Sequence, residues 1–101
     1  MSAACDIELS GPDTYVVRGE FSFATVSGLS RKGASLLWQS DHVTLDLEGV
    51  TRTDSAGLAL LIEWVREAKR KGKTIQFRNM PQQMMAIAQV VGLDSLLPVA
   101  S

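Results

Sequence analysis

A strand-helix-strand pattern in the second half of the sequence restricts the possible folds more than any other feature. His42–Leu47 and Thr74–Phe77 are rich in β-branched and apolar residues, which is typical of buried strands. Between them, apolar residues recur at helical spacing at Leu58, Leu61, Ile62, Val65 and Ala68. Asp54 or Ser55 is the predicted N-cap of this helix, and Gly72 is its predicted left-handed end. A crossover of this kind predicts that the two strands pair in parallel.

The beginning of the chain predicts a β-hairpin. Polar and apolar residues alternate along Cys5–Leu9, which indicates a strand with one buried face. Cys5, Ile7 and Leu9 share that face, so Cys5 is interpreted as a small buried hydrophobe. Gly11 to Asp13 predicts the turn, and Thr14 to Arg18 predicts the second strand.

Two weaker helical patterns lie on either side of the central unit. Between Ser22 and Trp38, an apolar stripe follows an N-cap candidate at Ser22 or Thr25. Pro81 suits the first turn of another helix that stops at Gly92, with predicted apolar positions at Met84, Met85, Ala88 and Val91. Leu93–Val99 is expected to close the chain as a short helical turn or an edge segment. The order β-β-α-β-α-β-α predicts an α/β fold, a mixed sheet with flanking helices.

Length and composition favour one small domain over residues 1–101. The 101 residues are 46% hydrophobic and 21% charged, which is enough for one core and leaves too little chain for a second. The formal net charge of -1 argues against nucleic acid as a partner. The longest apolar run, Leu58 to Ile62, is too short for direct insertion into a membrane. The start of the chain lacks the pattern of a secretory signal, so a cytoplasmic location is expected.

Residue types that commonly carry catalysis or bind metals are few. The sequence has one cysteine and one histidine, and it lacks the phosphate-binding loop, the nucleophile elbow and the zinc-protease motif. His42 begins a predicted strand, where a structural role is the ordinary interpretation. We therefore expect no cofactor, no metal site and no enzymatic activity.

The segment before the central helix is the candidate site. Glu48–Thr53 is predicted to be a loop that leads into Asp54 and Ser55. Plain helix capping explains both residues, and Gly57 would simply allow a close approach of the backbone. A helix start also presents unpaired N–H groups and positive dipole, which favour a phosphate or a partner's carboxylate. Phosphorylation of Ser55 would add a charge of about -1.5 to -2 and would switch an interface there.

The two tryptophans allow alternative interpretations. Leu60 and Trp64 lie along one edge of the predicted apolar stripe of the central helix. Trp64 is therefore either an interface anchor with partial exposure or part of a wider buried face. Trp38 is expected to cap the end of the first helix.

Several short strings together resemble the STAS family, which is named for sulphate transporters and anti-sigma-factor antagonists. They are Asp46-Leu47 with Val50, the run Thr53 to Leu61, Gly19-Glu20-Phe21 after the second strand, and Asn79, Pro81 and Leu93–Leu97 near the end. The resemblance extends over nearly the whole chain. It implies a β-strand core with flanking helices and a binding module that has no activity of its own.

Within the family, the sequence is most similar to the small stand-alone subunits of bacterial phospholipid-trafficking ABC transporters. The shared features are Gly19 to Val26 and Ser55 to Leu61 running into Glu63-Trp64. This resemblance implies a subunit that binds the transporter's ATPase and, through it, a membrane permease at the inner membrane. The implied contact residues are Thr53, Asp54, Ser55 and Ala56, with Phe23 and Ser27 as weaker nominations.

A second branch of the family is the alternative. In anti-sigma-factor antagonists, a serine at the position of Ser55 is phosphorylated by a partner kinase, which breaks the complex. Ser55 fits that pattern, whereas Ala56 stands where antagonists more commonly have a second serine. The resemblance therefore leaves open a role as an antagonist that is switched by phosphorylation of Ser55.

Overall fold

A computed structural model describes residues 3–100, which form a four-stranded sheet with three α-helices packed on one of its faces. The elements are β1 (Cys5–Gly11), β2 (Thr14–Phe21), α1 (Val26–Leu36), β3 (His42–Thr53), α2 (Ser55–Arg70), β4 (Thr74–Arg78) and α3 (Gln82–Val90). Short 3₁₀ turns follow α1 at Leu37–Gln39 and α3 at Asp94–Leu96. The predicted α/β class and the order β-β-α-β-α-β-α are confirmed.

The sheet is mixed, with the strand order β1-β2-β3-β4. β1 and β2 form the predicted antiparallel hairpin, and both β2 with β3 and β3 with β4 are parallel. The parallel pairs are joined by α1 and α2, because a parallel connection must carry the chain back along the sheet. The parallel pairing predicted for the strands on either side of α2 is confirmed.

The prediction of a loop at Glu48–Thr53 is wrong, because these residues continue β3. β2 also runs beyond Arg18 to Phe21, and this extension supplies parallel partners up to the pair Phe21 and Thr53. The register shifts twice along this ladder, between Val16 and Arg18 and between Gly19 and Glu20. Such irregularities interrupt the alternation of inward and outward residues, which is why the sequence pattern hides the strand.

The core lies between the sheet and the helices. Every strand contributes side chains to this face: Ile7, Tyr15, Val17, Phe21, Val43, Leu45, Leu47, Ile75 and Phe77. Leu61 of α2 and Met84 of α3 are fully buried against them. Each large apolar side chain buried in this way contributes roughly 1.5–3 kcal/mol before the entropic cost of folding. The core therefore fixes α2 on the sheet and with it the position of the helix start.

The buried stripe of α2 is rotated from the predicted one. Leu60 and Trp64 are buried, whereas Ile62 and Val65 are only half-buried. The reason is that α1 packs on the side of α2 that carries Trp64. The apolar face of α2 therefore contacts both the sheet and α1. Of the two interpretations of Trp64, the wider buried face is confirmed, with 3% of the residue exposed.

The edges of the fold show further differences from the predictions. Leu9 is 59% exposed and Cys5 is half-buried, because β1 is an edge strand that the helices cover only in part. Val91, predicted to face the core, is 55% exposed just beyond the end of α3. Trp38 lies within the 3₁₀ turn that follows α1.

The ends of the helices follow the sequence signals closely. Gly72 and Gly92 both adopt left-handed backbone angles, with φ of 68° and 73°, where α2 and α3 end. Pro81 directly precedes α3 as its N-cap. Thr25 takes the N-cap position of α1, although its hydroxyl does not cap the helix and instead donates to the Glu20 carbonyl at 2.7 Å.

Candidate functional site

The candidate site is built around Asp54, the N-cap of α2. The Oδ1 atom of Asp54 accepts hydrogen bonds from the backbone N–H groups of Ala56 at 3.0 Å and Gly57 at 3.2 Å. Two of the four unpaired N–H groups at the start of a helix are thereby satisfied by one carboxylate. The predicted N-cap is confirmed, and Ser55 becomes the first residue of the helix, with an exposed side chain.

The same carboxylate ties the helix start to the segment after β2. Its Oδ2 atom accepts a hydrogen bond from the backbone N–H of Phe23 at 3.1 Å. Ser22 and Thr25 hold this segment from the other side, since the Ser22 hydroxyl donates to Glu20 Oε2 at 2.6 Å and Thr25 bonds the Glu20 carbonyl. Phe23 is consequently held on a fixed backbone while 80% of the residue is exposed.

Gly57 allows α2 to begin close to the sheet. A Cβ atom at this position would lie 2.5 Å from the Phe21 carbonyl oxygen and 2.6 Å from Thr53 Oγ1. Real Cβ atoms do not come so close, so only glycine fits here without a shift of the strands. Thr53 itself is buried, with 2% of the residue exposed. Phe21 and Thr53 are thus packed tightly against the start of α2 on its sheet side, whereas Phe23 and Ser55 on its outer side are exposed to solvent.

The structure brings together some of the nominated residues and separates others. Phe23, Asp54, Ser55 and Ala56 form one surface through the hydrogen bonds of the Asp54 carboxylate. Ser27 is exposed in the first turn of α1, which follows the Phe23 segment. Thr53 is part of the support beneath this surface. We call the surface formed by the exposed residues Phe23, Ser27 and Ser55 and the half-buried Ala56 the docking surface.

A shallow groove that the sequence did not reveal begins at Ser55. It has a volume of about 360 Å³ and is lined by Ser55, Leu58, Ala59, Ile62, Arg66, Ile87, Val91 and Leu93. Its far wall comes from α3 and the residues after it. Val91 lines this groove, although the sequence pattern predicted that it faces the core. The groove extends the apolar part of the surface from the docking surface along α2.

Other polar groups lie away from the start of α2. Among residues 3–100, no cluster of three or more His, Cys, Asp or Glu side chains is placed to hold a metal ion. His42 Nδ1 lies 2.7 Å from Thr74 Oγ1 across the start of β3 and β4, at the opposite end of the sheet from Ser55. No helix within the described residues has the length and apolar character needed to cross a bilayer.

Comparison with known proteins identifies the family to which this fold belongs. The family model described as "Mlab, STAS domain" matches residues 6–98. This match covers nearly all of the chain, and the chain belongs to the STAS family. The membership predicted from the sequence is confirmed.

Two relatives point to different branches of the family. The intermembrane phospholipid transport system binding protein MlaB of Haemophilus influenzae is 30% identical over 78 residues, which cover 65% of this chain and 74% of that protein. The anti-sigma-B factor antagonist of Bacillus subtilis is 21% identical over 102 residues, which cover 100% of this chain and 94% of that protein.

A solved structure shows the same fold. The anti-sigma factor antagonist SpoIIAA in its unphosphorylated form superposes with a TM-score of 0.70 at 20% identity. The superposition covers 97% of this chain and 89% of SpoIIAA. At this level of identity the likeness establishes the arrangement of strands and helices alone.

Proposed function

We propose that this chain is a non-catalytic cytoplasmic STAS subunit that binds and supports the ATPase of an inner-membrane phospholipid-trafficking ABC transporter. The observation that carries the proposal is the match of the MlaB-type family model to residues 6–98. The relative from Haemophilus influenzae, a binding protein of an intermembrane phospholipid transport system, supports it. STAS domains of the MlaB type and of the anti-sigma-factor antagonists are generally non-catalytic, which agrees with a subunit that acts by binding. Its location at the inner membrane and its link to the permease would both come through the ATPase.

The docking surface has the features of a protein contact. Phe23 offers an aromatic ring that is 80% exposed, and the Asp54 carboxylate holds its backbone in place. An aromatic side chain on a fixed backbone loses little entropy on binding, and such residues commonly contribute most of the energy of an interface. Beside it, Ser55 and Ala56 are small enough for a partner to approach the start of α2. In this proposal Thr53 and Asp54 support the surface from below.

The subunit would act on the ATPase through a difference in affinity. A bound protein shifts a conformational equilibrium only as far as it prefers one state over the other. The hydrogen bond from Phe23 to Asp54 suits this task, because it holds the Phe23 segment against the start of α2 in one arrangement, which can fit one state of a partner better than the other. Tighter binding to the assembled, active state of the ATPase would therefore support its activity.

The first test is affinity capture of the tagged protein from extract that contains its native inner membrane. The wild-type protein should recover an ABC-type ATPase and its permease, and Ser55→Arg should lose both, because a long cation would occupy the contact. Ser10→Arg is the matched control, since Ser10 is an exposed serine near the β1–β2 turn at the opposite end of the sheet. Retention of the ATPase by a folded Ser55→Arg protein would contradict the placement of the contact.

A second candidate function is supported by the position of Ser55. Its side chain is exposed at the first residue of α2, where a phosphate would meet the positive end of the helix dipole. The relative from Bacillus subtilis, an anti-sigma-B factor antagonist, aligns over the whole chain. Recovery of a serine kinase in the same capture, with phosphate on Ser55 by mass spectrometry, would favour an antagonist over a transporter subunit.

A further inference from the structure

A second groove opens at the β4 edge of the sheet. It has a volume of about 680 Å³ and lies between α2, the start of β4 and the segment after α3, lined by Ile62, Val65, Arg66, Ala68, Lys69, Lys73, Thr74, Ile75 and residues 95–98. We call it the edge groove. Ile62 and Arg66 also line the shallow groove at Ser55, so the two form one continuous depression along α2. The depression joins the docking surface to the edge of the sheet.

The lining of the edge groove combines an apolar floor with positive charge. The cations are Arg66, Lys69 and Lys73, and none of the lining residues is acidic. Two of these cations have only loose or exposed partners, since Arg66 lies 3.8 Å from Glu63 and Lys73 lies 3.1 Å from the exposed Asp41. The Arg66 pair lies at the surface, where such pairs contribute little and exchange readily, whereas the Lys73 side chain is mostly buried, with 18% exposed. A ligand with carboxylates and apolar groups complements this lining in both respects.

The backbone of β4 adds a third feature. Phe77 turns its backbone groups away from β3, since its N–H donates to the Pro98 carbonyl at 2.9 Å and its carbonyl accepts from the Ala100 N–H at 2.8 Å. Backbone groups alternate in direction along a strand, so those of Ile75 point to the same outer edge. Within residues 3–100, the outward N–H and C=O of Ile75 have no backbone partner. An unpaired pair of this kind is a template for one more strand.

We propose that the edge groove binds an extended acidic segment of the partner protein. The backbone of that segment pairs with the outward N–H and C=O of Ile75, as in other complexes that add a strand to an open edge. Its apolar side chains cover Ile62, Val65 and Leu96, and its carboxylates meet Arg66 and Lys69. This inference rests on the proposed function, because the segment belongs to the partner that contacts Ser55 and follows the depression away from it.

The strand edge favours a peptide over an anionic lipid. A lipid would match the apolar floor and the cations, yet it has no backbone to pair with Ile75. A peptide satisfies all three features at once. Its charge also agrees with the lining, because a basic segment would place like charges beside Arg66, Lys69 and Lys73.

The test uses a short synthetic peptide in which valine and glutamate take turns at every second position, with threonine between them, so that the valines and glutamates share the face toward α2. The peptide is added to the isotope-labelled full chain and followed by NMR. The expected result is a set of shift changes confined to the edge groove, with slowed hydrogen exchange of the Ile75 amide. The Phe77 amide, already bonded to Pro98, serves as the internal reference and should not change. A peptide in which lysines replace the glutamates should not bind.

Charge reversal provides the matched comparison. The double variant Arg66→Glu with Lys69→Glu should weaken binding of the acidic peptide by roughly tenfold or more, because attraction becomes repulsion. Lys71→Glu changes the charge at the C-cap of α2, outside the lining, and should leave binding within about twofold of wild type. Equal binding by the double variant and wild type would overturn the proposal. So would shift changes at these residues with vesicles of phosphatidylglycerol but none with the peptide.

The Ser55→Arg variant separates this proposal from the proposed function. It should bind the acidic peptide as the wild type does while it loses the ATPase in affinity capture. Loss of the ATPase without any peptide binding by the wild type would support the proposed function and overturn the edge-groove proposal. Peptide binding together with undiminished capture by Ser55→Arg would overturn the placement of the docking surface and support the edge groove.

Discussion

The indole of Trp64 lies so close to Gly33 that a Cβ atom at position 33 would come within 2.7 Å of Trp64 Cζ2. This contact joins α1 to α2, and the Trp64 ring also lies 6.1 Å from that of Phe21, centroid to centroid. Phe21 in turn ends β2, just before the segment that carries Phe23. The contact between α1 and α2 therefore lies directly behind the end of β2, next to the segment that carries Phe23 of the docking surface.

Gly33→Ala is expected to destabilise the fold by about 1–2 kcal/mol, because overpacking against the buried indole outweighs the gain in helix propensity. Gly28→Ala is the matched control in the same helix, where an added Cβ meets nothing within 4 Å. That variant should gain up to about 1 kcal/mol. Urea unfolding followed by circular dichroism measures both changes. A Gly33→Ala protein as stable as Gly28→Ala would show that Trp64 moves aside freely.

Asp54→Ala is expected to lower stability by about 1–2 kcal/mol, because the N–H groups of Ala56 and Gly57 lose their cap and Phe23 loses its tether. Asp54→Asn keeps one oxygen acceptor and should fall between Asp54→Ala and wild type. The same urea titration ranks the three proteins. Hydrogen exchange at the Phe23 amide should quicken in Asp54→Ala, and an unchanged rate there would contradict the tether.

The features that the sequence predicted are those set by neighbours along the chain. The cap at Asp54 and the left-handed stop at Gly72 depend on a few adjacent residues, and both appear as expected. The parallel pairing of β3 and β4 follows from the helix between them. The helix start was recognisable as a candidate site for the same reason, since capping residues mark it directly.

The features that the sequence missed or left open depend on residues far apart. The burial of Trp64 requires a glycine on another helix, and the extension of β3 requires the irregular end of β2 beside it. The hydrogen bond from Phe23 to Asp54 crosses 31 positions of sequence. The edge groove is assembled from three separate segments. No periodicity within one segment carries information of this kind.

Asp46 makes stability depend on pH. Burial raises the pKa of this carboxyl, yet hydrogen bonds from the Asn79 amide and the Glu48 backbone N–H, with the charges of Arg78 and Arg18, hold it below its ordinary value of 3.8. A carboxyl with a lowered pKa stabilises the fold fully above its unfolded pKa, and the contribution disappears as pH falls through the folded pKa. Wild type should therefore exceed Asp46→Asn in stability at neutral pH.

That difference should shrink once the pH drops below about 4 and vanish when the folded carboxyl is protonated. Urea midpoints of the two proteins, measured in steps from neutral to strongly acidic pH, give the comparison. A difference that stays constant over the whole range would mean that Asp46 stabilises the fold without its charge.

Cys5 is expected to react slowly with alkylating reagents. Burial is the main cause that raises the pKa of its thiol to about 11, and the neighbouring charges of Asp6 and Glu20 act in the same direction. Since the thiolate is the nucleophile, the native protein at mildly alkaline pH should react roughly two orders of magnitude more slowly than the unfolded chain. Mass spectrometry after iodoacetamide treatment, with and without urea, measures the ratio. Similar rates in both states would show that β1 opens readily.

Phe23→Ala separates binding from folding at the docking surface. Because the ring is 80% exposed, its removal should change stability by no more than about 0.5 kcal/mol. Loss of an aromatic anchor should nevertheless weaken the complex with the purified ATPase by roughly tenfold or more, measured by surface plasmon resonance. Leu9→Ala removes a 59% exposed apolar side chain on the edge strand, near the β1–β2 turn, and should bind as wild type does. If both variants bind as well as wild type, the partner does not use the Phe23 ring, and the proposed contact does not include this residue.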